Sequence, residues 1–376
     1  MTDEKNKIKE TLEQMQKQFG EDAIFSGSDK EKLDIEWIST GILDLDLATC
    51  PNEGSGGIPK GRIVEVFGPQ GSGKTTIALS TMSEAQKDGI NCAFFDNENA
   101  YNPHYAEMIG VDTEEIYFSK VSEGELTYDM IEALVRSGDF GLIVIDSLAG
   151  LAPLPEIQSD MEDQHMGLAG KMNSKAMRKL CGALGKNNCT LFIINQIREK
   201  VGQMFGNPEV TPGGRALKFF SDMRLDVRAR DKFTEGSGDD KVTYGHRIRI
   251  RVVKNKVGTK GRAGFVDLYY DKGFDLQKDL VTAAEKTGVI EVAGGGWTTY
   301  IPLGVDPDDK DKVIKVQGTD NFVEKLKSKE NSKLLFQEIR ERILEGRKKP
   351  LYYQNDNDGE EENSDKNKEK REKKEW

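Results

Sequence analysis

The segment Gly68-Pro69-Gln70-Gly71-Ser72-Gly73-Lys74-Thr75 constrains this chain more than any other feature. Gly68 and Gly73 enclose four residues and are followed at once by Lys-Thr, the spacing of a phosphate-binding loop. Glycines at these positions let the backbone curl until successive N–H groups face phosphate oxygens. An apolar run, Ile63–Phe67, comes before the loop and a helical pattern follows from Lys74. A helix placed there turns its positive end toward the anion. Gly68, Pro69, Gln70, Gly71, Ser72, Gly73 and Thr76 form the expected cradle. Lys74 is expected to reach the β- and γ-phosphates, and the Thr75 hydroxyl to ligate Mg²⁺. A nucleoside triphosphate with Mg²⁺ is the ligand this predicts.

The surrounding pattern fits. Ile63–Phe67, Cys92–Phe95, Leu142–Ile145 and Leu191–Ile194 are rich in Val, Ile, Phe and Leu without polar alternation, as expected of strands buried on both faces. Helical patterns lie between them near 75–88, 102–110, 124–137 and 168–187, which predicts a parallel sheet covered by helices. Leu142–Ile145 ends in Asp146, an acid placed to hold Mg²⁺ beside the loop. Cys92–Phe95 ends in Asp96-Asn97-Glu98. Hydrolysis needs a group that positions the attacking water. Glu98 is placed for it, with Asp96 as its rival.

The chain has 376 residues, room for one large domain and a smaller one. Its net charge of −11 excludes a protein basic all over, but a local basic groove suffices to engage phosphates. Lys171, Lys175 and Arg178 share one helical face, either solvated or facing nucleic acid. The stretch Ile197–Phe219 mixes Gly, Pro and Thr with cations, Met204 and Phe205, which suits wedging between bases or stacking on them as well as it suits a surface loop. Arg247, Arg249 and Arg251 give one strand a cationic face with no specific role. Ile8, Leu12, Met15 and Phe19 make one apolar stripe on an N-terminal helix, for its own domain or another subunit. Residues 276–350 read as a small α+β unit with helices near 277–287, 319–328 and 331–346. Residues 354–376 are almost free of apolar groups and are expected to be disordered. Cys50, Cys92, Cys181 and Cys189 have no CxxC spacing, which argues against zinc and fits reduced, buried thiols in a cytoplasmic protein. No apolar run is long enough to span a membrane, and the charged N-terminus is not a secretory signal.

Several longer segments carry a resemblance. They are Gly-Pro-Gln-Gly-Ser-Gly-Lys-Thr-Thr, Ala-Phe-Phe-Asp-Asn-Glu-Asn-Ala, Val-Ile-Asp-Ser, His165–Ala169, Asn195–Arg198, Met204–Glu209, Gly213–Phe219 and Val253–Lys256. In this order they resemble the bacterial RecA recombinase family over residues 5–300, and more loosely to about 346. Met204-Phe205-Gly206-Asn207-Pro208-Glu209 is far more specific than the phosphate loop. The resemblance implies that Glu98 activates water and that Gln196 senses the γ-phosphate and couples it to a DNA-binding loop, about 199–212. It implies a first DNA loop near 156–165, Tyr105 and Asn102 by the adenine, and Lys254 and Lys256 reaching a neighbouring subunit's ATP. Met166, Lys171, Ser174, Arg178, Arg198, Lys200, Met204, Phe205, Gly206, Asn207, Gly213, Gly214 and Arg215 are the DNA-contacting candidates. Residues 8–19, with a strand near Ile24-Phe25, would dock on the next subunit. Asn102 stands where the family commonly has aspartate, and Lys171 where it has arginine. The first loop is acidic, residues 50–57 resemble a small insertion, and the tail mixes charges where a purely acidic one is common.

The expected fold is α/β: a RecA-like P-loop ATPase core with a mostly parallel central sheet, an N-terminal oligomerisation helix and a small C-terminal α+β domain. The expected division is 1–35 for subunit docking, 36–275 for the core, 276–350 for the small domain and 351–376 for the tail. The expected activity is a DNA-dependent ATPase that forms helical filaments on single-stranded DNA and exchanges strands with duplex DNA in recombinational repair. Its partners would be both DNA forms, further copies of itself, a repressor and loader proteins. A hexameric helicase and a nucleotide-gated regulatory filament are the competing expectations.

Overall fold

The computed structural model describes residues 2–20, 23–27, 34–51, 56–160, 167–199 and 209–346. They belong to two compact units, Met1–Glu36 and Trp37–Trp376. In the first, a helix spans Thr2–Phe19 and Gln16 Nε2 donates to the Ile24 carbonyl at 2.8 Å. Ile8, Met15 and Phe19 of its apolar stripe are exposed. Within the chain Ile24 and Phe25 form no strand among the described residues; the strand expected there is one that pairs with the next subunit.

The strands of the second unit are β1 (Trp37–Ile38), β2 (Ile58–Pro59), β3 (Ile63–Gly68), β4 (Cys92–Asp96), β5 (Ile116–Ser119), β6 (Leu142–Asp146), β7 (Thr190–Gln196), β8 (Arg198–Glu199), β9 (Glu209–Val210), β10 (Met223–Glu235), β11 (Val242–Asn255), β12 (Ala263–Tyr269), β13 (Gly273–Phe274), β14 (Glu291–Ala293), β15 (Trp297–Tyr300) and β16 (Ile314–Gln317). The main sheet has the order β13-β12-β11-β10-β3-β7-β6-β4-β5. From β10 to β5 all neighbours are parallel, and from β10 to β13 they are antiparallel.

Alternate residues of the central strands enter opposite cores. Val64, Phe94, Val144 and Phe192 pack with Ile77 and Met82 of the helix Lys74–Lys87. Ile63, Phe95, Ile143 and Leu191 pack with Ile131 of the helix Gly124–Ser137 and Met177 of the helix Leu168–Lys186. Both faces are covered, so the strands read as apolar-rich runs without alternation, even with Glu65 buried inside β3.

Residues 276–346 add three helices, Leu276–Thr287, Thr319–Lys327 and Ser332–Gly346, and the antiparallel sheet β14-β15-β16. Their core includes Val281, Phe322 and Ile339 together with Leu43 and Leu47 from the helix Leu43–Thr49. The Asp279 carboxylate accepts the N–H groups of Leu43 and Asp44 at 2.6 and 3.2 Å. All four cysteines are free; three are buried, but Cys181 is exposed, contrary to the expectation of buried thiols. Among the described residues no helix is long and apolar enough to cross a membrane.

Candidate functional site

The site lies where the parallel strands end. Register places Gly68 beside Gln196 and Asp96 beside Asp146. Ligands of open α/β sheets bind outside such carboxyl ends. Gly71 and Gly73 of the loop after β3 have φ of +70° and +91°, a region that side chains disfavour. A Cβ on Gly73 would also lie 2.4 Å from Ile248 Cδ1, so the loop packs too closely on β11 to admit one.

Lys74 is buried and its Nζ donates to the Pro69 carbonyl at 2.6 Å, closing the loop on itself with Ser72 Oγ, which donates to the same carbonyl at 2.8 Å. Burial lowers the Lys74 pKa, while the Asp146 and Glu98 charges work to raise it. Thr75 Oγ1 donates to Asp146 Oδ2 at 2.6 Å. Burial pushes the Asp146 carboxyl up to about 6; the Glu98 and Asp96 charges add to this, and the Thr75 hydrogen bond and the Lys74 charge oppose it. A hydroxyl and a carboxylate side by side are hard oxygen donors that fit Mg²⁺, an ion that takes most of its remaining ligands from phosphates and water. Among the described residues no cluster of three or more His, Cys, Asp or Glu could hold a metal by itself.

Geometry separates the two acids after β4. The Asp96 carboxylate accepts the N–H groups of Glu98, Ala100 and Tyr101, so it shapes the turn. Glu98 is solvent-accessible, and its Oε1 accepts from Ser147 Oγ and from Gln196 Nε2, the latter at 2.7 Å. Glu98 therefore has a second oxygen to offer a water, while Asp96 is committed to the backbone. Ser147 was not singled out in the sequence; a lone serine after an apolar strand carries no spacing signal. Tyr105 OH and Thr76 Oγ1 are 2.9 Å apart, which brings the adenine candidate to the residue after Thr75. Asn102 caps the helix Pro103–Ile109, its side chain accepting from Tyr105 N at 3.2 Å.

The DNA candidates fall into groups. Lys171, Lys175 and Arg178 lie on the exposed face of the helix Leu168–Lys186, and Ser174 Oγ donates to the Gly170 carbonyl at 2.7 Å. Arg198, in the small β8–β9 pair, and Arg215 are exposed. Gly213 and Gly214 have φ of +84° and +82°, and a Cβ on Gly214 would lie 3.1 Å from Gly170 Cα. These glycines thus permit a close approach to the helix. Met166, Lys200, Met204, Phe205, Gly206 and Asn207 lie outside the described residues. Beyond that loop, the Arg228 guanidinium forks onto the Glu209 carboxylate at 2.7 and 2.5 Å. Lys254 Nζ binds the Lys218 and Phe219 carbonyls at 2.6 and 3.1 Å, and Lys256 Nζ binds Asp222 Oδ1 at 3.0 Å. Within one chain these two lysines therefore contact the helix Ala216–Phe220 and Asp222, not the phosphate loop.

A glycine loop between β3 and its helix, a hydroxyl–carboxylate pair and an accessible glutamate define a P-loop nucleoside triphosphatase on a parallel sheet. Comparison with known proteins narrows the class. The model of the RecA N-terminal domain matches residues 6–275. The chain is similar to Protein RecA of Clostridium botulinum, 44% identical over 310 residues that cover 82% of this chain and 85% of that one. Protein RecA of Clostridium acetobutylicum is 44% identical over 80% of this chain and 84% of its own. For Protein RecA of Staphylococcus carnosus the figures are 44%, 80% and 82%. The chain belongs to the RecA family. It is accordingly a DNA-dependent ATPase of homologous recombination.

Proposed function

We propose that this chain binds ATP and Mg²⁺ between subunits, assembles as a helical filament on single-stranded DNA and exchanges that strand with a homologous duplex. The carrying observation is the 2.7 Å hydrogen bond from Gln196 Nε2 to Glu98 Oε1. It couples the candidate sensor directly to the candidate base. Backbone N–H groups from Gln70 to Thr75 and the Lys74 ammonium receive the phosphates. Thr75 and Asp146 would hold Mg²⁺, which would supply charge neutralisation at the phosphate oxygens. A water oriented by Glu98 attacks the γ-phosphorus in line; its proton passes to the carboxylate as the bond to the β–γ bridging oxygen breaks and ADP departs. Gln196 Nε2 carries two N–H groups, so the amide that meets Glu98 can also donate to a γ-phosphate oxygen and report the nucleotide to the segment that follows β7.

That segment and the helix Leu168–Lys186 supply the DNA contacts. Lys171, Ser174, Arg178, Arg198, Lys200 and Arg215 engage phosphates, with Met166, Met204, Phe205, Gly206, Asn207 and the glycine pair Gly213-Gly214 close to the bases. Phosphate contacts position the strand, and base pairing supplies specificity. Residues 1–35 dock on the next subunit, where Lys254 and Lys256 reach its nucleotide once freed from Lys218, Phe219 and Asp222. Residues 276–350 act as a distinct small domain. A cytoplasmic repair role, with a repressor and loader proteins as partners, completes the reading. Electron micrographs of the protein with single-stranded DNA and a non-hydrolysable ATP analogue test it: open helical filaments are expected, and closed six-membered rings would overturn it in favour of a helicase.

A further inference from the structure

Two buried asparagines hold consecutive carbonyls where the 199–212 segment rejoins the core. Asn195 Nδ2 donates to the Pro212 carbonyl at 3.3 Å, and Asn173 Nδ2 donates to the Gly213 carbonyl at 3.2 Å. Both side chains are almost wholly buried. Such amides are expensive to leave unpaired, so each is held by a second group. Asn195 Nδ2 also donates to Glu65 Oε1 at 3.0 Å, Glu65 is fully buried in β3, and its other oxygen accepts from Arg224 Nε. Asn173 Oδ1 accepts from the Tyr128 hydroxyl at 2.7 Å. Tyr128 is buried in the helix Gly124–Ser137, and burial raises its pKa, so the hydroxyl keeps its proton to donate.

The two anchors differ in what they attach to. Asn195 immediately precedes Gln196, and its Oδ1 accepts the Gln196 N–H at 3.0 Å. A shift of this strand end that carries the Gln196 N–H would therefore act on Asn195 and, through its Nδ2, on Pro212. Asn173 belongs to the helix Leu168–Lys186 and has no tie to the nucleotide side chains among the contacts described. Gly213 sits against it so closely that a Cβ would lie 2.7 Å from Asn173 Nδ2 and 2.6 Å from Leu148 Cδ2. One carbonyl is thus tied to the strand end that bears Gln196, and the next to the helix Leu168–Lys186.

We propose that Tyr128 and Asn173 are positioning residues that form the fixed pivot of the DNA-binding segment, against which movement of Gln196 and Asn195 is converted into a change in that segment's conformation. The proposal rests on the reading that residues 199–212 contact DNA in response to nucleotide. Tyr128 acts only through Asn173, and neither touches the nucleotide residues.

The test measures how much a non-hydrolysable ATP analogue tightens binding of the full chain to a fluorescent single-stranded oligonucleotide. The ratio of dissociation constants without and with the analogue is compared for the unaltered protein, Tyr128→Phe, Asn173→Met and the double variant. Loss of one buried hydrogen bond is expected to lower the ratio about threefold to tenfold in Tyr128→Phe, with affinity for the analogue in the absence of DNA unchanged. The double variant should lose no more than Asn173→Met alone, because Tyr128 acts through Asn173. Tyr128→Phe removes one oxygen and keeps the ring in its core, so it carries the test even if Asn173→Met fails to fold. A ratio unchanged in a folded Tyr128→Phe protein, or effects that multiply in the double variant, would overturn the pivot while leaving the proposed function standing. A ratio of one in the unaltered protein would instead overturn the proposed function, and the pivot with it.

Discussion

Thr75 Oγ1 donates to Asp146 Oδ2 at 2.6 Å, joining the first turn of the helix after the phosphate loop to the end of β6. The pair puts two hard oxygens at the point where register brings β4 and β6 level. Asp146→Asn keeps the shape and the hydrogen bond but removes the charge that attracts a divalent cation. Roughly a hundredfold loss of kcat is expected, with a raised Mg²⁺ requirement, when turnover is followed across a Mg²⁺ titration. Unchanged Mg²⁺ dependence would remove Asp146 from the metal site.

Glu98→Gln separates binding from chemistry. The amide can still meet Ser147, but it cannot accept a proton. Hydrolysis should fall roughly 10²–10⁴-fold. A fluorescent ATP analogue should still bind, because the Gly68–Thr75 loop is untouched. Unchanged turnover would point to a different base and favour a regulatory filament.

The strands that carry the candidate site were legible because both of their faces are buried, which left apolar-rich runs at Ile63, Cys92, Leu142 and Leu191. The strand Ile116–Ser119 was not. It lies at the sheet edge, where Tyr117 is 59% exposed and Phe118 39% exposed, so its pattern matches neither a buried nor an alternating strand. That Lys74, Thr75 and Asp146 lie together was legible, the first two from the glycine and lysine offsets that backbone curvature dictates and Asp146 from its place at a strand end. The choice between Glu98 and Asp96 needed coordinates, because either acid could have turned inward to the backbone. Ser147, Glu65, Asn173 and Tyr128 left no signal. Their partners lie 40 to 159 residues away, and an isolated amide or hydroxyl does not announce a long-range hydrogen bond.

Gly213→Ala tests the close approach at the segment's exit. The substitution imposes a left-handed backbone on a residue with a Cβ and drives that atom to within 2.6 Å of Leu148. Strain alone costs about 1–2 kcal/mol, and the clash adds to it. Thermal unfolding should show a lowered Tm, and DNA affinity should fall further than nucleotide affinity.

Asp267 holds β12 to the helices beyond it. Its carboxylate meets Arg247 Nε at 2.7 Å and Lys278 Nζ at 3.0 Å, and Lys278 also reaches Asp320 at 2.6 Å. Burial works to raise the Asp267 pKa, but the hydrogen bonds from Arg247 and Lys278 outweigh it and hold the carboxyl below the ordinary 3.8. A depressed folded pKa contributes stability that is complete above the unfolded value and disappears as pH falls through the folded one. Asp267→Asn should therefore cost about 3 kcal/mol at neutral pH. The gap between variant and unaltered protein should close as pH drops below 3.8, measured by denaturant unfolding across that range. A gap that persists at acid pH would mean that packing, not the ion pairs, carries the effect.

The most direct test of the central claim is ATP hydrolysis with and without single-stranded DNA. Stimulation by DNA is expected, weakened by added salt because phosphate contacts release counterions, and lost in Lys74→Ala. Equal hydrolysis in both conditions, by folded protein that binds ATP, would contradict the coupling of this nucleotide site to DNA.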